Sequence, residues 1–156
     1  MNILTLDFET FYFPPTYTLR KQTVEEYVRD PRFEAILVGL KMNDNPTLWV
    51  PAPDIPRVFK KIPWNQTAVL CQKSQFDCFV LSEIYDVHPA FILDTIPMFR
   101  CLYPAESASL ANIAKVLGLK DKGFETENTK GKHFADFSPE ELARFGAYCL
   151  DDVDIT

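Results

Sequence analysis

Apolar and polar residues along the chain follow two different periods. Residues 2–7 (NILTLD) form a short β-prone run that ends in an acid. Residues 35–42 (AILVGLKM) are largely apolar, as in a strand covered on both faces. Asn43-Asp44-Asn45-Pro46 reads as a turn and residues 47–50 as the returning strand, so three antiparallel strands are expected to open the chain. Residues 68–71 and 91–93 predict a fourth and a fifth strand. Elsewhere the apolar period lengthens to that of a helix, over residues 24–29, 55–62, 75–85, 95–102 and 110–117, and in a last helix that opens at Pro139. In the helix over 75–85 the inward residues are expected to be Phe76, Phe79, Val80 and Ile84. The last helix is expected to bury Leu142, Phe145, Gly146, Cys149 and Val153. Capping signals agree with these limits: Thr23 with Glu26, Asp94 before Thr95, Gly118 after Leu117, and Ser138-Pro139-Glu140-Glu141. Residues 120–137 are polar without periodicity and are read as a loop. The whole predicts a mixed α/β sheet flanked by helices.

At 156 residues, 47% of them hydrophobic, the chain is expected to fold as one domain with a real core. No apolar run approaches the ~20 residues of a membrane span, and no basic leader precedes the first strand, so no membrane partner is expected and a cytoplasmic location is the default. Cys71, Cys78, Cys101 and Cys149 lack the spacing of a zinc site and are read as small buried hydrophobes. The net charge of −6 argues against a domain that grips duplex DNA through its phosphates. It leaves nucleic-acid chemistry open where carboxylates hold divalent ions, because each ion cancels two charges locally.

Several acids stand where that chemistry would need them. Asp7 and Glu9 are alternate residues of the first strand and project from one face, about 7 Å apart. They are equally a catalytic pair and acids at a solvated strand end. Asp77 heads the helix over 75–85, where an acid also suits the helix dipole. Tyr148 and Asp152 are four apart on the last helix and share a face offset from its apolar stripe. Asp151 and Asp154 fall on other faces and are expected to be solvated.

Taken together, Asp-x-Glu, then Phe-Asp opening a mid-chain helix, then Tyr-x-x-x-Asp on the last helix resembles the DEDD (DnaQ-like) exonucleases. The segments LDFET (6–10), SQFDCFVL (74–81), LDT (93–95), SLANIAKVLGL (109–119) and YCLDDVDIT (148–156) resemble the proofreading exonuclease domain of family A DNA polymerases, phage ones especially. The resemblance spans nearly the whole chain, and Tyr148 places it in the tyrosine subclass, since the other would need His where Ala147 stands. It implies the ribonuclease H-like fold, with a central mixed five-stranded sheet flanked by helices. It implies two divalent cations, Mg²⁺ or Mn²⁺, held by Asp7, Glu9, Asp77 and Asp152, with Asp7 bridging. Tyr148 would orient the attacking water, and Thr10, Phe76 and Lys73 would contact substrate. The implied activity is two-metal hydrolysis that removes nucleoside 5′-monophosphates from single-stranded or frayed DNA 3′ ends. The implied partners are a single-stranded DNA 3′ end and a polymerase domain of the same parent chain. The end at Thr156 would make residues 1–156 the N-terminal part of that parent, in a bacterial host's cytoplasm if phage-encoded.

One residue departs from the pattern: Lys73 stands where family members often carry Asn, and its charge is read as meeting a substrate phosphate, the alternative being that it weakens metal loading beside the carboxylates. Two further readings stay open, an exoribonuclease of the same superfamily and an inactive exonuclease fold kept as a structural module. His133 is read as a solvated loop residue, and Trp49 and Trp64 as core or rim. Lys120, Lys122, Lys130 and Lys132 form a basic cluster that fits a solvated loop and a single-strand contact equally well.

Overall fold

The computed structural model describes residues 1–120 and 129–156. Its five strands are β1 (Asn2–Thr10), β2 (Ala35–Met42), β3 (Leu48–Pro51), β4 (Thr67–Cys71) and β5 (Phe91–Asp94), in the sheet order β3-β2-β1-β4-β5. The first three pair antiparallel, whereas β4 runs parallel to β1 and β5 parallel to β4. The helices are α1 (Val24–Val28), α2 (Ile55–Phe59), α3 (Ser74–Tyr85), α4 (Thr95–Leu102), α5 (Leu110–Leu117) and α6 (Pro139–Ile155). The expected mixed sheet flanked by helices is therefore the observed one, and none of the described helices is long and apolar enough to cross a membrane.

Side-chain alternation assigns the two faces. Leu4, Leu6 and Phe8 of β1 are buried on one face, where the Phe8 ring stacks on Tyr85 of α3 at 5.7 Å and meets Phe59 of α2 edge-on at 6.2 Å. The opposite face of β1 and β2 carries α6. Two glycines let that helix come close. A Cβ on Gly39 of β2 would sit 2.7 Å from Val153 and 2.8 Å from the Cys149 sulfur. A Cβ on Gly146 of α6 would sit 2.5 Å from the Trp49 ring. Both contacts are shorter than packed carbon atoms tolerate. Trp49 and Trp64 thus pack against the core, and the Trp64 indole donates to the Phe59 carbonyl at 2.9 Å.

The capping expectations hold at Thr23–Glu26 and Ser138–Glu141, where side chain and backbone bond reciprocally. Asp94 does more than expected. It caps α4 through the Ile96 amide, and the same carboxylate accepts from Lys73 N, Ser74 N and Ser74 Oγ at the start of α3.

Four expectations need correction. β1 extends three residues beyond its predicted end, because Asp7, Glu9 and Thr10 continue the ladder opposite Gly39, Leu37 and Ala35. On α3 the expected Phe76, Phe79 and Val80 pack against the core, with Asp77 and Leu81 buried beside them, while Ile84, in the last turn of the helix, is exposed. Cys101 is exposed rather than buried, on the outer side of α4. His133 is not simply solvated: its ring stacks on Phe11 at 4.0 Å and its Nδ1 lies 2.5 Å from a Glu34 oxygen. In the predicted loop, residues 134–136 form a 3₁₀ turn and residues 121–128 lie outside the described residues.

Because Gly146 and the Trp49 ring share one space, Gly146→Ala should lower unfolding stability by about 1–3 kcal/mol. Adding Trp49→Leu should recover part of that loss, and urea titrations followed by far-UV circular dichroism measure both.

Candidate functional site

β1 and β4 run parallel, so the C-terminal end of β1 and the start of α3 after β4 lie at one edge of the sheet. α6 crosses the same region on one face. Asp7 and Glu9 point to that face and stay partly exposed, whereas Asp77 and Asp152 are only 2% and 6% exposed. One oxygen each from Asp7 and Glu9 and the sulfur of Cys149 all lie within 4.8 Å of one another. Asp77 reaches β1 from α3, its Oδ1 accepting the Phe8 amide at 3.0 Å. Tyr148 is partly exposed and packs against the core beside Cys149 on α6.

Electrostatics ties these groups into one site. The Asp77 carboxyl is held well above the usual carboxylate range, by burial first and by the charge of Asp7 second. The Cys149 thiol is likewise pushed well up, by burial and then by Asp7 and Glu9, with Asp152 adding to it. It therefore stays protonated and donates to the Asp7 carbonyl at 3.5 Å and to Asp7 Oδ2 at 3.8 Å. Carboxylates so placed repel one another, and a divalent cation is the natural counter-charge. The donor set fits a hard ion such as Mg²⁺ or Mn²⁺, since its available ligands are carboxylate oxygens and its sulfur is a thiol.

Lys73 has left-handed backbone (φ +67°), the region that Asn tolerates better than other side chains. Its amide is held by Asp94 at 3.3 Å and its side chain is exposed at the same sheet edge. Beside Glu9 a pocket of about 230 Å³ is lined by Thr10, Tyr12, Leu19, Tyr27 and Phe76 among others. Thr10 and Phe76, both expected at the substrate, thus share one cavity next to the acids. The basic cluster is partly consumed within the chain, Lys120 by Asp151 at 2.5 Å and Lys132 by Glu141 at 2.6 Å, while Lys122 lies outside the described residues. Asp154, expected to be solvated, binds Lys41 at 3.0 Å and the Thr47 hydroxyl.

Sequence reasoning missed three residues here. Cys149 reads as one more apolar position of α6, Tyr27 as a helix residue remote from the acids, and Asp94 as the cap of one helix only. Nothing in local spacing marks the first two.

No protein-family model matches the chain, and no curated protein sequence matches it. Solved structures do share its fold, a mixed α/β sheet of the ribonuclease H-like exonuclease type. The catalytic core of RRP6 from Trypanosoma brucei superposes with a TM-score of 0.63 at 11% identity, over 98% of this chain and 39% of that one. Trypanosoma brucei RNase D gives 0.69 at 19% identity, over 98% and 55%. Brucella melitensis NrnC gives 0.60 at 13%, over 98% and 69%. The chain thus spans well under two thirds of the RRP6 and RNase D chains. That RNase D has also been solved in complex with RNA U12, and that NrnC with pGG and with Mg²⁺.

In cation-free protein a carboxyl raised like that of Asp77 stabilises the fold while protonated. That contribution is complete below about pH 4 and fades as pH rises through the raised value. Asp77→Asn keeps the oxygen that accepts from Phe8 but never ionises. In chelator, the urea midpoint of the variant should therefore gain on that of the native chain between about pH 4 and about pH 8. A constant difference across that range would contradict the account.

Proposed function

We propose that this chain is a divalent-cation-dependent 3′–5′ exonuclease that shortens single-stranded nucleic acid. The observation that carries the reading is the convergence of Asp7 and Glu9 from β1 with buried Asp77 from α3 and buried Asp152 from α6. Asp7, Glu9 and Asp152 would hold one cation, and Asp77 with Asp7 a second. Bound there, the two cations would neutralise the scissile phosphate and make water a stronger nucleophile at neutral pH. The chain's own groups do the rest. Tyr148, one helical turn before Asp152, directs the attacking water through its hydroxyl. Phe76 and Leu19 give the terminal base an apolar wall, and Lys73 pairs with a phosphate oxygen. Water oxygen bonds to phosphorus as the bond to the 3′ oxygen breaks, and a proton passes to that leaving oxygen. The product is a nucleoside 5′-monophosphate.

DNA is supported by the resemblance of residues 6–10, 74–81, 93–95, 109–119 and 148–156 to the proofreading domain of family A DNA polymerases, which brings with it a polymerase domain on the same parent chain. A second reading, an exoribonuclease, is supported by the likeness to an RNase D solved with RNA U12. Matched 5′-labelled DNA and RNA oligonucleotides with Mg²⁺ or Mn²⁺ separate the two. Stepwise shortening from the 3′ end is expected, abolished by chelator and cut by about 10²-fold or more in Asp7→Ala. Tyr148→Phe should slow the reaction while leaving Mn²⁺ affinity, measured by calorimetry, close to native. Absence of cation-dependent shortening by folded protein would overturn the reading, and faster cleavage of RNA would overturn the proofreading role.

Lys73→Asn should relieve the left-handed backbone and raise stability by up to about 1 kcal/mol. The same variant should bind a single-stranded oligonucleotide more weakly, its salt dependence shallower by about one counterion. Fluorescence anisotropy over a salt series measures both slope and affinity.

A further inference from the structure

The pocket beside Glu9 owes its hydrogen-bonding polarity to a residue outside the acid cluster. Tyr27 of α1 is 2% exposed, and Tyr17 fixes it twice, by donating to the Tyr27 carbonyl at 2.8 Å and by stacking on its ring at 4.3 Å. Burial raises the Tyr27 pKa, so the phenol keeps its single proton. That proton is committed, because Tyr27 Oη lies 2.5 Å from the Phe11 carbonyl, which can only accept. Thr10 Oγ1 lies 2.9 Å from the same Tyr27 Oη. With the phenol proton spent on Phe11, the Thr10 hydroxyl must be the donor in that contact. Its own single proton is then used as well, and it offers only lone pairs to any ligand. Thr10 and Tyr27 both line the pocket, whose apolar walls include Leu19 and Phe76 and whose edge is Glu9. A phosphate, itself an acceptor, finds no partner in this Thr10 oxygen, whereas a hydroxyl does.

We propose that Tyr27 locks the Thr10 hydroxyl as a hydrogen-bond acceptor, so that this pocket selects a terminal nucleotide by a sugar hydroxyl. Thr10 is the specificity-determining contact and Tyr27 the positioning residue behind it. The inference rests on the exonuclease reading for its substrate class. A free 2′ or 3′ hydroxyl would satisfy the same acceptor. A 2′ contact would favour RNA ends, and a 3′ contact would favour any unblocked end.

Calorimetric binding of four nucleotides in Mg²⁺ tests this without turnover: AMP, 2′-deoxy-AMP, 3′-deoxy-AMP and 2′,3′-dideoxy-AMP. The native chain should bind the dideoxy compound roughly tenfold more weakly than AMP, as expected for one lost hydrogen bond to a fixed acceptor. The single-deoxy compound that shares the loss identifies the hydroxyl. Thr10→Val and Tyr27→Phe should each shrink the preference to about twofold or less, whereas Thr10→Ser should keep it. Thr10→Val also guards against failure of Tyr27→Phe to fold. Equal binding of AMP and the dideoxy compound by the native chain would overturn the proposal, as would an undiminished preference in both variants. Hydroxyl preference without oligonucleotide shortening would leave it standing while sinking the exonuclease reading. Shortening without hydroxyl preference would do the reverse.

Discussion

The close seating of α6 on the sheet is the constraint from which the candidate site follows. Gly39 of β2 lies opposite Asp7 of β1, and Trp49 of β3 lies opposite Gly39, so one row across three strands meets one side of the helix. Where the sheet gives up a side chain at Gly39, the helix supplies Cys149 and Val153. Where the helix gives one up at Gly146, the sheet supplies Trp49. This exchange brings a helix bearing Tyr148 and Asp152 against a strand bearing Asp7 and Glu9. A side chain at either glycine would lift the helix and separate the acids by a distance comparable to a carbon atom.

Bringing carboxylates together has a cost, visible in the raised Asp77 carboxyl and in the Cys149 thiol that cannot ionise beside Asp7 and Glu9. The scaffold offsets part of it with donors aimed at the acids, the Phe8 amide on Asp77 and the Cys149 thiol on Asp7. Each donor also joins two elements, α3 to β1 and α6 to β1. The bonds that make the charge cluster tolerable are thus the ones that hold its geometry.

Much of the fold was legible in the chain, because periodicity, turns and caps are local. Among the described residues, five strands and six helices lie where spacing predicts them, with ends shifted by a few residues. The Asp7–Glu9 face was legible for the same reason, since alternation along a strand needs no partner. What stayed hidden depends on residues far apart in sequence. His133 gives no sign that Glu34 and Phe11 will receive it. Tyr27 stands 17 residues from Thr10, with nothing in the intervening sequence to say that their hydroxyls meet. On α3 apolar spacing marks Phe76, Phe79 and Val80, which pack against the core, but gives no sign of the buried Asp77. Its burial depends on the Phe8 amide, which β1 supplies from 69 residues away.

Asp94 carries a consequence of a mechanical kind. One carboxylate pins the first turns of α3 and α4, so the two helix starts turn about a common pivot. Both helix starts therefore hang on a side chain only three bonds long, at the end of the strand farthest from α6.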